Sequence, residues 1–159
     1  MKTKIISLAE LARRADMVRA ANEKLVLTNG CFDLIHVGHV RYLAQARALG
    51  DFLAVALNGD DSVRALKGAG RPINSADDRA EVLAALECVD FVTIFPDVRA
   101  TEVITAVRPA IYAKGGDYTV ERLNPEEVAA LRTAGAEVQI VPLTPGKSTS
   151  GILARMQKP

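Results

Sequence analysis

The sequence predicts an α/β protein, with a parallel sheet of five strands and helices on both faces. Three observations carry that expectation. Short apolar runs of strand length alternate with segments of helical spacing along the whole chain. The second run, Phe52-Leu53-Ala54-Val55-Ala56-Leu57, is continuously apolar, as a strand covered on both faces should be. Glycines, prolines and capping residues fall at the joints between segments.

Ser7-Leu8-Ala9-Glu10 is a capping box that opens a helix running to about Asn22. Residues 1–23 thus read as an N-terminal helical extension. Its apolar stripe, Leu8, Leu11, Ala15 and Val18, suits packing on its own domain or on a partner. Leu25-Val26-Leu27 forms the first strand, which ends in a loop at Gly30. Gly38 to Leu49 has helical spacing, and Gly50 stops it. After the second strand, Asn58 to Ile73 is glycine-rich and basic. Ser75-Ala76-Asp77-Asp78 caps a helix whose face carries Ala80, Leu83, Ala84 and Cys88. Phe91 to Phe95 is the third strand, and a helix from about Ala100 to Val107 ends before Pro109. Ala110 to Ala113 is the fourth strand. Asn124-Pro125-Glu126-Glu127 supplies an N-cap, a proline at N1 and acid in the first turn of a helix that stops at Gly135. Val138 to Val141 is the fifth strand, and Ser148 caps the last helix. There is no internal repeat, linker or low-complexity tract, so residues 1–159 are expected to form a single domain.

Composition narrows the function. The chain has 20 Lys+Arg against 19 Asp+Glu, a formal net charge of +1, so no broad basic field exists to hold nucleic acid. The two cysteines, Cys31 and Cys88, lack metal-like spacing and argue against a disulfide framework. The apolar start of the chain is interrupted at Glu10, Arg13 and Arg14, too soon for a signal peptide. No apolar run approaches a membrane span. A cytoplasmic protein without nucleic-acid or membrane partners is expected.

Both histidines of the chain lie in one stretch, Thr28-Asn29-Gly30-Cys31-Phe32-Asp33-Leu34-Ile35-His36-Val37-Gly38-His39. It spans the loop after the first strand and the start of the next helix. Ligands of parallel α/β sheets bind at the carboxyl ends of strands. A helix N-terminus placed there offers free N–H groups and partial positive charge to a phosphate. His36 and His39, at i and i+3, lie near one face of that turn and can donate hydrogen bonds to phosphate oxygens. An H-x-x-H pair also suits half a zinc site, but the chain has no third histidine and neither cysteine completes a set, so no metal ligands are assigned.

Gly30 to His39 resembles the G-x-F-D-x-x-H-x-G-H signature of the cytidylyltransferase-like nucleotidyltransferases. Near the other end, Gly146-Lys147-Ser148-Thr149-Ser150 resembles the Ser-Thr helix cap that binds triphosphate in those enzymes. The resemblance runs from about Lys24 to Met156. It implies a Rossmann-like sheet in the order 3-2-1-4-5. That order would make the first and fourth strands neighbours at the topological switch point, with their loops facing one crevice. Within the superfamily, the chain is most similar to the D-glycero-β-D-manno-heptose 1-phosphate adenylyltransferases of lipopolysaccharide-precursor synthesis. Besides the first motif, the matching stretches are Lys67-Gly68-Ala69-Gly70-Arg71-Pro72-Ile73-Asn74 and Lys114-Gly115-Gly116-Asp117-Tyr118. Ser150 and Gly151 depart from the family, which often has Thr and a larger residue there; Ser keeps the hydroxyl.

The resemblance implies transfer of AMP from ATP to heptose 1-phosphate by direct in-line attack, with Mg²⁺ arriving on the triphosphate. His39 would stabilise charge at the α-phosphate and His36 would contact the triphosphate. Asn29, Gly30, Cys31, Phe32, Gly38, Lys114, Gly115, Asp117, Ser148 and Thr149 would bind the nucleotide. Asp33, Asp60, Lys67, Arg71 and Arg79 form a second group directed at the substrate or its phosphate. For Lys67 and Arg71 the competing meaning is a solvated basic loop, for Asp60 a helix N-cap, and for Arg79 a surface ion pair. The family also implies a homodimer, and a sugar kinase, fused to this domain in many relatives, is expected on a separate chain. Three other functions compete. One is a cytidylyltransferase acting on glycerol 3-phosphate or a related phospho-alcohol. Another is a non-catalytic nucleotide-binding module, although that should have lost the histidines. An NAD-dependent oxidoreductase is disfavoured because no G-x-G-x-x-G follows the first strand.

Overall fold

A computed structural model describes residues 2–116 and 123–156. Five parallel strands, β1 (Leu25–Gly30), β2 (Phe52–Asn58), β3 (Phe91–Phe95), β4 (Ile111–Gly115) and β5 (Glu137–Val141), form one sheet in the order β3-β2-β1-β4-β5. The helices are α1 (Leu8–Ala20), α2 (Val37–Arg47), α3 (Asp60–Lys67), α4 (Ala76–Ala84), α5 (Thr101–Val107), α6 (Pro125–Ala134) and α7 (Thr149–Met156). The fold is the Rossmann-like α/β architecture, with β1 and β4 adjacent at the switch point.

Strand side chains alternate between faces, and the sheet therefore builds two cores. Val26, Leu53, Val55, Leu57, Ile111 and Ala113 join Leu43 and Ala46 of α2 and Leu83 of α4 on one face. On the other, Leu25, Leu27, Ala54, Ala56 and Tyr112 join residues of α1, α5 and α6. Both core faces of β2 are apolar, which is why its sequence shows no alternation. The stripe of α1 packs within its own domain: Leu11, Ala15 and Val18 are buried in the second core. The residues before α1 are tied to the β3 edge, where Ile6 N–H donates to the Val92 carbonyl and Lys4 Nζ to the Val89 carbonyl.

Five boundaries differ from the sequence expectation. Asn58 to Ile73 is not all loop, since α3 occupies Asp60–Lys67 between Gly59 and Gly68. Its aspartates sit in the first turn and its basic residues in the last, as the helix dipole favours, and the surrounding glycines masked that pattern. Strand β1 continues to Gly30 and β4 to Gly115, so the residues expected in loops stand on strand ends. Helix α4 stops at Ala84, leaving Cys88 in the following turn, half-buried against the first core. Helix α2 begins at Val37 with His36 as its N-cap. Among the described residues no helix is long and apolar enough to cross a membrane.

Candidate active site

The carboxyl ends of β1 and β4 open into a crevice with two lobes. The first encloses about 550 Å³ and the second about 340 Å³. Asn29 to Phe32, His39, Lys67, Lys114, Thr149 and Ser150 line both. The first lobe continues past Arg71 and Asn58 to Arg99, Asn124 and Glu127. The second continues past His36, Gly38 and Gly115 to Leu143, Thr144, Lys147 and Ser148. The sheet order thus joins the two sequence motifs: the N-termini of α2 and α7 border one cavity, which suits a polyanion.

The two imidazoles lie with ring centroids 3.9 Å apart. His36 Nδ1 accepts from the Gly38 N–H at 3.1 Å and caps α2. In the neutral ring this leaves Nε2 as the N–H donor. Burial lowers the pKa of His36, and Lys147 adds to the effect. Burial also pushes His39 down to about 4, with His36 contributing. Both rings are therefore neutral near pH 7 and act as hydrogen-bond donors rather than as fixed cations. Among the described residues His39 Nδ1 is buried without a partner, while the ring packs against Phe32 with centroids 5.4 Å apart. Gly38 is required by close approach: a Cβ there would stand 2.8 Å from His36 Cε1 and 3.2 Å from Lys147 Cβ. Gly30 similarly makes room for the Phe32 ring, which a Cβ would meet at 2.9 Å. Phe32 itself holds φ at 43°, a strained conformation for a bulky residue.

Asn29 Oδ1 accepts from Tyr112 Oη at 2.6 Å and from Lys114 Nζ at 3.1 Å. Burial lowers the pKa of Lys114, against the opposing charge of Glu127. Burial raises the Cys31 thiol, so it is no activated nucleophile. At α7, Ser148 Oγ accepts from the Gly151 N–H, which keeps its own proton free to donate. The Thr149 hydroxyl donates to the Leu34 carbonyl at 3.3 Å and ties α7 to the β1–α2 loop. The hydroxyl proton of Thr149 is thus already engaged within the fold.

The second group of expected site residues divides. Lys67 and Arg71 line the first lobe. Asp33 is buried and also borders the lobe, but its carboxylate is engaged by Arg71 at 2.5 Å and by the N–H groups of Ile73 and Asn74. Burial alone would raise its pKa; the Asn74 N–H, Arg71 and the Ile73 N–H outweigh it and hold it below the usual value. It clamps the Arg71–Asn74 segment against the β1 loop. Arg79 requires a correction. Its side chain is 0% exposed, so it neither reaches solvent nor forms a surface ion pair. It donates to the Cys31 carbonyl at 2.5 Å, the Asn74 carbonyl at 3.1 Å and Asp60 at 2.8 Å. It stands behind the crevice as a tie, and Asp60 is its partner. Asp117 lies outside the described residues.

Sequence reasoning missed Asn58, Arg99, Asn124, Lys147 and Glu127. Only Lys147 had a usable signal, its place inside the second motif. Among the described residues no group of three or more His, Cys, Asp or Glu is placed to hold a metal ion.

Comparison with known proteins fits this geometry. The chain is 47% identical over 154 residues to the bifunctional protein HldE of Geotalea uraniireducens, and that match covers 97% of this chain and 31% of the relative. It is 46% identical to the bifunctional protein HldE of Pseudomonas fluorescens, covering 97% and 32%. The chain therefore spans about a third of the length of these relatives. Among solved structures, the lipopolysaccharide core biosynthesis protein from Thermoplasma volcanium superposes with a TM-score of 0.63 at 26% identity, covering 77% of this chain and 97% of that one. A pantoate-β-alanine ligase from Francisella tularensis shares the fold alone, at a TM-score of 0.59 and 12% identity, covering 92% and 68%. A cytidylyltransferase-like family model matches residues 27–156, and with the paired histidines at the switch point this places the chain in the cytidylyltransferase-like family of nucleotidyltransferases.

Proposed function

We propose that the chain transfers AMP from ATP to heptose 1-phosphate, forming ADP-heptose and pyrophosphate. The observation that carries this reading is the bilobed crevice, in which two neutral imidazoles and two helix N-termini meet at the switch point. The nucleotide occupies the second lobe, whose walls include the apolar Leu143 and the strand end at Gly115. The acceptor occupies the more polar first lobe, with Lys67 and Arg71 at its phosphate. The resemblance to heptose 1-phosphate adenylyltransferases and the likeness to a lipopolysaccharide core biosynthesis protein support a sugar acceptor.

An oxygen of the acceptor phosphate attacks the α-phosphorus, the bond from that phosphorus to the bridging oxygen breaks, and pyrophosphate leaves. His39 donates an N–H to the oxygen on which charge builds, and His36 and the α7 N-terminus hold the departing phosphates. Carboxylates near the crevice are already engaged: Asp33 by Arg71, Asp60 by Arg79, and one oxygen of Glu127 by the Ala100 N–H. That donor set fits a Mg²⁺ held by the triphosphate and water rather than by a protein cage. Bound there, the ion supplies neutralisation of phosphate charge.

The test is pyrophosphate release from ATP and from CTP, each with a panel of sugar 1-phosphates and with glycerol 3-phosphate. The expected result is release with ATP and heptose 1-phosphate, reduced about 10²- to 10³-fold in His39→Ala. Release only with CTP and glycerol 3-phosphate would keep the mechanism and overturn the substrate. Absence of release with every pair would overturn the reading.

A further inference from the structure

The first lobe is lined by Lys67, Arg71, Arg99 and Lys114, as a phosphate requires. Glu127, in the first turn of α6 and only 7% exposed, lines the same lobe within electrostatic reach of Lys114. Carboxylates buried to that degree are paired, hydrogen-bonded or functional. One Glu127 oxygen accepts from the Ala100 N–H at 3.0 Å, which fixes the side chain against the start of α5. Among the described residues the other oxygen accepts no hydrogen bond, although the residue lines the lobe. A carboxylate oxygen left open to the lobe accepts hydrogen bonds from hydroxyls. A ligand that satisfies the cations and this carboxylate together carries a phosphate and a polyol.

We infer that Glu127 is the specificity-determining residue for the acceptor, accepting hydrogen bonds from sugar hydroxyls. This rests on the proposed sugar-phosphate function and adds the residue that reads the sugar. Glu127 lines the first lobe and not the second, where the nucleotide is placed. Its loss therefore acts on acceptor binding and orientation and leaves ATP binding intact.

The experiment compares wild type with Glu127→Gln and Glu127→Asp. The glutamine retains an oxygen for the Ala100 N–H and removes the charge; the aspartate retains the charge and withdraws it by one methylene. Initial rates give KM for ATP and for heptose 1-phosphate, and methyl phosphate, which has the anion without the polyol, serves as a competitive inhibitor. The expected result is a KM for the sugar phosphate raised about 10- to 100-fold in both variants, the usual worth of a hydrogen bond to a charged group. KM for ATP and Ki for methyl phosphate should stay within about two-fold, a split that a merely structural role would not produce. An unchanged acceptor KM, or an equal loss in all three constants, overturns the assignment while the sugar-phosphate function stands. A wild type inactive with every sugar phosphate overturns both.

Discussion

Replacing Arg79 with alanine separates a structural tie from a phosphate contact. The guanidinium is fully enclosed and has three partners: the Cys31 carbonyl in the loop after β1, the Asn74 carbonyl before α4, and Asp60 at the start of α3. Breaking a buried charged pair typically costs about 3 to 5 kcal/mol. The Asp60 side chain is 41% exposed, so water would recover part of that partner's loss, while the two carbonyls lose charge-assisted hydrogen bonds. A cost of about 3 to 4 kcal/mol follows. For a chain of this size each kcal/mol lowers Tm by about 2 to 4 °C, so Arg79→Ala should melt about 6 to 16 °C below wild type. The assay is thermal unfolding by circular dichroism, run beside steady-state kinetics at a temperature where both proteins are folded. Arg79→Lys should recover little, since an ammonium cannot span the three acceptors in one plane. A Tm within about 2 °C of wild type, together with a large rise in KM for ATP or acceptor, would refute the tie and return Arg79 to the phosphate.

His39 should titrate near pH 4 in the ligand-free protein, followed by the imidazole resonances in NMR, and should move upward when nucleotide phosphates bind beside it. Because its folded pKa lies below the ordinary value of 6.5, the unfolded chain takes up the proton first; stability is full above about 6.5, falls as pH drops toward 4, and His39→Ala should flatten that slope in urea titrations. Tyr42→Phe removes a buried hydroxyl that bonds Thr28 at 2.7 Å and the Ala113 carbonyl at 3.1 Å, joining α2 to β1 and β4. A loss of about 1 to 3 kcal/mol is expected in chemical denaturation with the m-value unchanged, and a neutral result would show that the hydroxyl network is not a tie.

How much was legible follows from the range of the interaction that defines each feature. The strands were legible because burial writes itself locally: Leu25 and Leu27 enter one core and Val26 the other, with no need to know the partner. The histidine motif was legible because both rings, the glycine between them and the helix start fall within a few residues. His36 shows the limit of that reading. Its spacing marked it as a ligand group, but only the backbone path shows that one nitrogen already caps α2. Arg79 and Asp33 were noticed as charges, yet their meaning comes from partners far away in sequence. Glu127 was hidden by a sound local explanation, because an acid in the first turn complements the helix dipole wherever it occurs.

The same division of range bears on how the site works. The groups expected to meet phosphate, His36, His39 and the start of α7, stand at helix N-termini, where backbone donors need no partner from afar. Around them, long-range ties set their relative placement. Thr149 holds α7 to the β1–α2 loop, Asp33 and Arg79 hold the segment before α4 to the same loop, and Tyr42 anchors α2 to the strands beneath it. A reaction that depends on aligning an attacking oxygen with a departing one is sensitive to errors of about an ångström. Substitutions in the ties should therefore lower kcat through geometry and stability together. Substitution of His39 should lower kcat at nearly constant stability, and this difference in pattern, more than the size of any one loss, distinguishes the chemistry of the site from its scaffold.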